Sequence, residues 1–460
     1  MKRPVIASLS TAGVVVLLTA TAVGLLGACG EQFEPPRPPR AQLNFPVGLE
    51  LHPNGRFLYV VNSNFNARYR ADSGGTVAVV DTRTMEIVEG GTPFLPSFGG
   101  AIELNDNATR AYVATRENDA VVAFRVGKGA EGGKDGGALF CLDGDGTPTT
   151  NPGPCTIDRV PDSSDGAPLS TDPFGLEVTT LERTNPDTGE EVTIDLVNIA
   201  YVGSNRVSTI SLPDQTVEGA SLQTVALVPG SNQIVRRPGT LSYYVAGRNT
   251  NVVARFAPFL NFGSTGNFGE VEGLFEQGEI SLSNFATSNG GRVSADARGI
   301  AFDESGETLY VATRRPDNLY VFSLVPSNPE TGGGLEHKMT ASIPLRDNPS
   351  EIIVHQGPDG RQLLYIPSFD DQSINVIDPK AKTVIDVIEL DASPYDLVVD
   401  TSPKRCQTPG DTCRAYVSLF DDTTLSADEC EPNTDQCGSV GVLDLDPASP
   451  RFNQMIRKIR

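Results

Sequence analysis

The chain has 460 residues, of which 36 are basic and 58 acidic, and its formal net charge is −22. This acidic balance argues against nucleic acid as a partner, because binding to phosphates requires a basic surface. The count of three histidines argues against a metal site built from several histidine ligands. The 46 glycines and 34 prolines predict many turns, in a chain long enough for two or three domains or for one large repeat fold.

The first 28 residues have the pattern of an export signal. Lys2 and Arg3 precede an uncharged, mostly apolar stretch over residues 4–28, as in a secretory signal peptide. The stretch ends in Leu-Gly-Ala-Cys at 26–29 and resembles the lipobox of bacterial lipoproteins, where cleavage precedes a lipidated cysteine. The resemblance implies a signal peptide over residues 1–28 and a lipid on Cys29. Ordinary secretion, with Cys29 as a spare thiol, is the alternative.

The residues after Cys29 predict where the protein is held. By the rule known for enteric lipoproteins, Gly30 in place of an aspartate implies the outer membrane. We therefore expect a bacterial envelope protein that is anchored by its lipid and faces the periplasm or the cell surface. Residues 29–42 are rich in proline, which favours an extended tether between the membrane and the folded domain.

Six further cysteines support export. They fall into three close pairs, and proximity along the chain predicts the disulfides Cys141 with Cys155, Cys406 with Cys413, and Cys430 with Cys437. Disulfides persist in an oxidising compartment such as the bacterial envelope. A zinc site is the weaker interpretation, because the sequence has no Cys-x-x-Cys motif and no histidine near these cysteines.

One phrase recurs seven times along the chain, with a tyrosine, a β-branched residue, small or polar residues and then a second apolar run. Its tyrosines are Tyr59, Tyr112, Tyr201, Tyr244, Tyr310, Tyr365 and Tyr416. Most copies follow a short strand that opens with a Pro-x-Gly-Leu-like phrase, as at 46–49 and 173–176. In two copies, an acid (Glu351 or Asp396) replaces the glycine.

The surroundings of each tyrosine predict four short strands per copy. Alternating runs rich in Val, Ile and Tyr, bounded by turns, indicate antiparallel sheet. Four strands in a repeat of this length describe a β-propeller blade. One blade cannot bury both of its faces, whereas a ring of blades can. We therefore predict an all-β fold over residues 43–460, a seven-bladed β-propeller of four-stranded antiparallel blades.

The copies and their order resemble the YVTN-type β-propeller repeats of bacterial and archaeal surface proteins. This resemblance implies the propeller fold, but lactonases, redox propellers and binding proteins share that architecture. The absence of tryptophan separates the chain from Trp-Asp repeat propellers. Residues 127–171, 181–196 and 260–292 are expected to be surface insertions. Residues 452–460 alternate like an outer strand of blade seven, so the ring is expected to close by contact between blades.

The loops at the channel mouth supply the candidate ligand site. In a propeller, the start of each innermost strand and the loop after the second strand lie on the same face. Arginine dominates this face in blades two to five, and carboxylates dominate it in blades six and seven. The candidate residues are Arg116, Arg206, Arg248, Arg298, Arg314, Arg315, Glu351, Asp370, Asp371, Asp396, Asp421 and Asp422. A face with basic residues on one side and acidic residues on the other suits a protein, peptide or glycan partner. The alternative is that these residues are loop tips that contact only solvent.

Two functions fit this face. The favoured one is a non-catalytic envelope lipoprotein whose propeller presents a binding or scaffold surface. The alternative is a lactonase-like or other hydrolytic enzyme, with Glu351, Asp396 and Arg298 as acid, base and oxyanion donor at the channel mouth. The sequence contains no Gly-x-Ser-x-Gly elbow, and we assign no catalytic residue. A structural role in surface-layer assembly is also compatible with the repeats.

We expect a monomer without a resident cofactor. Ca²⁺ is the one candidate ion, held by Glu351 and Asp396, because it prefers oxygen ligands. The Asp-Gly-Asp-Gly run at 143–146 begins like a calcium loop but has Pro154 where the final glutamate would stand. His52 and His355 stand at the ends of the inner strands of blades one and six, and this position predicts a role in packing or in a turn. His337 is expected to lie in a Gly-rich loop.

Replacing Cys29 by serine tests the lipid anchor. A serine offers no thiol for acylation, so Cys29→Ser is expected to yield protein without lipid, as read by mass spectrometry of the N-terminal peptide. Ala28→Gly keeps a small residue before the cysteine and is expected to be lipidated as the parent chain is. A mature parent chain that carries no lipid on Cys29 would contradict the interpretation.

Overall fold

The computed structural model describes residues 34–127, 137–142, 148–149, 169–215, 220–263, 267–282, 294–328, 333–402, 405–408, 410, 412–426, 430 and 437–460. In these residues the protein consists of seven antiparallel sheets in a ring and contains no helix. Each sheet is one blade, and the chain builds the blades in order from the first to the seventh. The predicted seven-bladed β-propeller of four-stranded blades is confirmed.

The strands of the first three blades follow the chain from the channel outward, except that blade one adds a short strand beside its third. Blade one contains β1 (Pro46–Leu51), β2 (Phe57–Asn62), β3 (Gly75–Asp81), β4 (Glu86–Ile87) and β5 (Phe94–Leu95), which pairs with β3. Blade two contains β6 (Gly99–Leu104), β7 (Arg110–Thr115), β8 (Ala120–Val126), β9 (Leu139–Leu142) and β10 (Pro148–Thr149). Blade three contains β11 (Pro173–Thr184), β12 (Glu191–Tyr201), β13 (Arg206–Pro213) and β14 (Ser221–Ala226).

The other four blades have four strands each in sequence order. Blade four contains β15 (Ser231–Arg236), β16 (Tyr243–Gly247), β17 (Val252–Leu260) and β18 (Val271–Ser281). Blade five contains β19 (Ala297–Phe302), β20 (Thr308–Arg314), β21 (Asp317–Asn328) and β22 (Gly333–Pro344). Blade six contains β23 (Ile353–Gln356), β24 (Gln362–Ser368), β25 (Ser373–Asp378) and β26 (Thr383–Glu389). Blade seven contains β27 (Pro394–Val399), β28 (Arg414–Leu419), β29 (Ser439–Asp444) and β30 (Gln454–Ile459).

The repeated tyrosine lies on the second strand of every blade and is buried. Its exposed fraction is 2% or less in all seven copies, which fits the predicted packing role. A strand that is buried on both faces needs apolar side chains on both faces. The sequences of these strands are therefore continuous runs of Val, Ile, Leu and Tyr, without the alternation of apolar and polar residues seen in half-exposed strands. The hydrophobic clusters accordingly join neighbouring blades, as where Tyr112 of β7 packs with Val197 and Ile199 of β12.

Several of these tyrosines also donate a hydrogen bond to the following blade. The Tyr112 hydroxyl bonds Asp195 of blade three at 2.8 Å, and the Tyr365 hydroxyl bonds Asn453 of blade seven at 3.2 Å. The Tyr244 hydroxyl lies 3.0 Å from Nε2 of His337, which belongs to β22 of blade five. The prediction that His337 lies in a loop was therefore wrong. A buried phenol needs a polar partner, and here the neighbouring blade provides it.

The expected insertions are partly strands. Residues 181–196 lengthen the hairpin of β11 and β12, whose register continues to the pair Thr184 and Glu191. Within residues 260–292, β18 is the outer strand of blade four and pairs with β17 over its length. Within residues 127–171, β9 is the fourth strand of blade two and pairs with β8. Sequence interpretation missed β18 because Glu and Gly interrupt its apolar pattern, and it missed β9 because this strand has only four residues.

The ring closes by contact between blades one and seven, as expected. Each of the two blades is built from one end of the chain, and they share no strand. Leu43, which is 1% exposed, packs in a cluster that contains Leu49 and Leu58 of blade one and Tyr416 and Val440 of blade seven. The carbonyl of Leu43 also accepts a hydrogen bond from the backbone N–H of Gly438. This residue therefore fills the seam of the ring.

The proline-rich segment is not wholly a free tether. The compact body of the propeller begins at Arg37. The guanidinium groups of Arg37 and Arg40 lie 5.2 and 5.5 Å from the centre of the Phe94 ring, and Arg40 Nε donates to the carbonyl of Thr92 at 2.6 Å. Residues 37–42 therefore lie along blade one and lead the chain to Leu43.

Truncation of Leu43 tests the seam. Leu43→Ala removes buried methyl groups and leaves a cavity, so the free energy of unfolding is expected to fall by about 2–5 kcal/mol. Ile385→Ala is the matched control, because Ile385 is 44% exposed on β26 and its truncation is expected to change stability by about 0.5 kcal/mol or less. Denaturant unfolding followed by circular dichroism measures both. Equal effects of the two substitutions would contradict the role of Leu43.

Candidate functional site

The seven inner strands surround a central channel that contains a cavity of about 560 Å³. Side chains from all seven blades line it. Ligand cavities in proteins commonly measure about 300–1,000 Å³, so this one has the size of a small-molecule site. We call the end of the channel where the inner strands begin its mouth.

Neighbouring inner strands approach one another very closely at their third residue. A Cβ on Gly48 would lie 2.6 Å from the carbonyl oxygen of Gly100, and one on Gly175 would lie 2.4 Å from that of Asn232. Glycine is therefore required at this position in blades one and three, because any side chain would collide with the next blade. The Pro-x-Gly phrase of the sequence has this steric cause.

In blades four and seven, where this third residue is Gln233 or Asp396, its side chain bonds the next blade. Gln233 Oε1 accepts from the backbone N–H of Ile300 at 2.7 Å, and Asp396 Oδ2 accepts from that of Leu49 at 2.6 Å. Glu351 accepts from Gln233 Nε2 at 2.9 Å and is hydrogen-bonded to Asp396. The two acids predicted for the channel mouth therefore lie inside the channel and contact each other.

Three further carboxyl groups complete an acid layer in the cavity. Glu50, Glu103 and Glu177 stand two residues after the close approach in blades one to three, and with Glu351 and Asp396 they line the cavity. Sequence interpretation missed them. Their signal was available, because the period-two alternation of a strand turns the glutamate of Gly-Leu-Glu to the same side as the glycine.

Burial and mutual repulsion keep these acids largely protonated. Burial, together with the charges of Asp396 and Glu177, raises the pKa of Glu50 to about 8. Burial raises the pKa of Glu177 to about 7, although Arg236 opposes this. The pKa of Glu103 and of Glu351 lies well above the ordinary value for the same reasons, burial first and then neighbouring carboxylates. Glu50, Glu103 and Glu351 therefore offer neutral hydroxyl donors and carbonyl acceptors at neutral pH.

An arginine cluster lies at the mouth above the acid layer. It consists of Arg248, Arg298 and Arg314, whose charges act on one another. Burial first, and then the charge of Arg298, lower the pKa of Arg314 to about 10. Burial and the charge of Arg298 also lower the pKa of Arg248. Arg298 pairs with Asp296 at 2.6 Å, and Arg314 Nε donates to the carbonyl of Pro349 at 2.9 Å.

Aromatic rings form another wall of the mouth. The ring of Tyr395 lies 6.4 Å from that of Phe174 and 6.2 Å from those of Phe369 and Phe420. Phe420 in turn contacts Phe65 at 5.2 Å, and Phe65 is 56% exposed. The rings thus lead from the cavity to the surface. They come from loops and strand starts of four blades, which is why no local sequence pattern revealed them.

Only part of the predicted face converges. Of the predicted residues, the cavity is lined by Arg298, Arg314, Glu351 and Asp396. Arg248 joins the first two in the arginine cluster. The remaining ones are Arg116, Arg206, Arg315, Asp370, Asp371, Asp421 and Asp422.

Several of the remaining residues have local partners. Arg116 pairs with Asp172 at 3.2 Å, and Asp371 pairs with Arg346 at 3.1 Å. Asp370 accepts a hydrogen bond from Asn348. Asp422 is buried and pairs with Lys458 of β30 at 2.9 Å, so it belongs to the scaffold of blade seven. Asp421 has a raised pKa from burial and from Asp422. Arg206 and Arg315 are exposed.

The cysteines and histidines differ in part from expectation. The predicted disulfides of Cys406 with Cys413 and of Cys430 with Cys437 are present, whereas Cys155 and Cys29 lie outside the described residues.

His52 accepts a hydrogen bond from the backbone N–H of Asn54 within its turn. His355, which is distant from the cysteines in the sequence, is buried with Nε2 3.8 Å from Sγ of Cys413. No helix among the described residues is long and apolar enough to span a membrane.

The fold and the cavity define a seven-bladed β-propeller with a ligand-sized site in its channel. No protein-family model matches the chain, and no curated protein does. The structure is similar to Sqt1 of Chaetomium thermophilum, solved with the N-terminus of ribosomal protein L10, at a TM-score of 0.51 and 12% identity over 92% of this chain and 89% of that one.

Two bacterial structures are also similar. One is the periplasmic gluconolactonase PpgL of Pseudomonas aeruginosa, with a TM-score of 0.49 and 16% identity over 76% of this chain and 87% of that one. The other is a protein of Lactobacillus plantarum, with a TM-score of 0.48 and 15% identity over 74% and 84%. At such identities the likeness concerns the fold alone.

The raised pKa values predict a loss of stability at alkaline pH. The folded protein holds protons on the acid layer that the unfolded chain releases near the ordinary pKa of 4.5, so the free energy of unfolding falls as pH rises from there towards about 8. Glu50→Gln removes one such group and is expected to make this decline shallower, whereas Glu279→Gln on the exposed edge of β18 is not. Thermal unfolding between about pH 5 and 8 measures the slope. A parent protein with no decline would contradict the protonated layer.

Proposed function

We propose that this protein is an exported propeller that binds a small anionic, hydroxyl-rich ligand, such as the acidic end of a glycan, in its central channel. The observation that carries the proposal is the convergence of Arg298 and Arg314 on the cavity, with Arg248 beside them, in a chain whose net charge is −22. The charge of Arg298 lowers the pKa of both Arg248 and Arg314, which shows that the three like charges repel one another in the absence of an anion. A bound anion relieves this repulsion and forms charge-assisted hydrogen bonds.

The rest of the cavity supports a ligand rich in hydroxyl groups. Protonated carboxyl groups both donate and accept hydrogen bonds, as hydroxyl groups require. Because they are neutral, they do not repel an anion at the mouth as ionised acids would. Phe369 and Tyr395 add flat apolar surfaces against which a sugar ring can pack. Because the cavity has a volume of about 560 Å³, it has room for only the terminal group of a protein, peptide or glycan.

The proposed location follows from the sequence. The signal over residues 1–28 and the cysteine at position 29 support a lipid anchor, and the two described disulfides support an oxidising compartment. We propose a monomeric lipoprotein of the bacterial outer membrane, with the propeller in the periplasm or at the cell surface. A Ca²⁺ ion at Glu351 and Asp396 stays a prediction, and the hydrogen bond between these acids requires that a proton leave before the ion binds.

A second candidate function is hydrolysis of an ester or lactone in the same cavity. The observation that favours it is the hydrogen-bonded pair of Glu351 and Asp396, which lines the same cavity as Arg298. The ionised member of the pair would take a proton from an attacking water molecule, and the guanidinium group would stabilise the oxyanion. The pair of acids provides the base, and the arginine provides the electrostatic stabilisation.

Calorimetric titration with D-glucuronate and with neutral D-glucose tests the binding function. The parent protein is expected to prefer the anion, and Arg314→Met is expected to weaken its binding by about tenfold or more, because a charged hydrogen bond contributes about 1.5–3 kcal/mol. Arg361→Met is the matched control, since Arg361 is surface-exposed and pairs with Asp359. The affinity is also expected to fall as pH rises past 8, where Glu50 ionises. Equal binding of both sugars, or no effect of Arg314→Met, would contradict the proposal.

The same calorimeter separates binding from hydrolysis. Injection of D-glucono-lactone gives a single heat of binding if the site only binds. Turnover gives continuous heat above that of spontaneous ring opening. If such heat is seen and Glu351→Gln abolishes it, the second candidate replaces the first.

A further inference from the structure

A second site lies at the other end of blades six and seven from the mouth. His355 ends β23, and Cys406 and Cys413 belong to the connection between β27 and β28. One ring nitrogen of His355 and the two sulfurs all lie within 4.8 Å of one another, and all three residues are buried. Among the described residues, no other group of histidine, cysteine and carboxylate side chains is gathered so closely.

The distances suit a tetrahedral metal. With Zn–S near 2.3 Å and Zn–N near 2.0–2.1 Å, two ligands of a tetrahedral zinc ion lie about 3.6 Å apart. The separation of Cys413 Sγ and His355 Nε2 is 3.8 Å. The two sulfurs are joined in a disulfide, and reduction would allow them to separate to the distance that zinc needs.

The two ring nitrogens of the histidine also have different surroundings. Within the described part of the chain, Nδ1 has no hydrogen-bond partner, and Nε2 faces sulfur. A neutral imidazole that carries its proton on Nδ1 presents the lone pair of Nε2 to the two cysteines. The buried Nδ1 of His355, which has no partner among the described residues, is an observation separate from the cysteine pair.

We propose that His355, Cys406 and Cys413 bind a zinc ion when the disulfide is reduced. A dithiol reductant gives two electrons and two protons to the Cys406–Cys413 bond and becomes a disulfide itself. Zinc then replaces the two thiol protons, which are released to solvent, and binds Nε2 of His355. Three protein ligands leave the fourth position of the tetrahedron to water or to an added ligand. The site is independent of the channel and of the function proposed for it.

The second described disulfide provides an internal control. Cys430 and Cys437 have the same separation of seven residues in the sequence. The three histidines of the chain are His52, His337 and His355, and only His355 gathers with a cysteine pair in the described residues. Reduction should therefore create a metal site with an imidazole ligand at one pair and not at the other.

Cobalt titration of the purified full-length protein tests the proposal. The protein is reduced with dithiothreitol, freed of reductant without air, and titrated with Co²⁺, which reports thiolate ligands by near-ultraviolet charge transfer and a tetrahedral site by its visible bands. We expect one equivalent to bind, Zn²⁺ to displace it, and the oxidised protein to show no such bands. His355→Gln is expected to weaken the affinity by about tenfold or more. The double variant Cys430→Ser/Cys437→Ser is expected to bind as the parent does.

Several outcomes would overturn the proposal. They are an absence of thiolate bands in the reduced protein, unchanged affinity in His355→Gln, and loss of the bands in the Cys430→Ser/Cys437→Ser variant. Loss of the β-sheet circular dichroism on reduction would also overturn it, because the three ligands then no longer meet. The result does not depend on substituting Cys406 or Cys413, whose removal could itself impair folding.

Discussion

The close approach of neighbouring inner strands around the channel is the constraint on which this structure depends. At Gly48 and Gly175 the next blade leaves no room for a side chain. At Gln233 and Asp396 a side chain is accommodated because it accepts a hydrogen bond from the next blade's backbone. The same contact therefore sets the width of the ring and decides which blades can place a polar group at the top of the channel. Blades six and seven do so with Glu351 and Asp396, which meet there.

Charge in the channel is arranged by depth. Positive groups stand at the mouth, and acids stand below them, where burial and mutual repulsion suppress their charge. Packing several carboxyl groups into one cavity is unfavourable if all are ionised, so the protein keeps protons there. This arrangement gives a strongly acidic protein a positively charged channel mouth. It also connects the stability of the protein to pH through the side chains of the channel.

The ring closes between blades one and seven without a shared strand, so contacts between these two blades hold the seam together. Residues on both sides of the seam contribute. Leu43 fills the apolar seam, and the two described disulfides restrain loops of blade seven. The ion pair of Asp422 with Lys458 ties the outer strand β30 to the same blade. Asp422, which sequence interpretation assigned to a ligand face, thus contributes to the scaffold of blade seven.

The sequence by itself determined the fold class and the number of blades, because both depend on signals that are local or that repeat. Strand alternation, turn residues and the recurring tyrosine are all local signals, and the two described disulfides join cysteines close in sequence. The tertiary structure decided which charged residues meet. Arg298 of blade five and Glu351 of blade six line the same cavity although they are distant in the sequence. Asp422, which was predicted to lie on the same face, pairs with Lys458 instead. His355 reached the cysteines in the same way, across a blade boundary. Such contacts depend on how the ring brings distant blades together, which no local pattern of residues records.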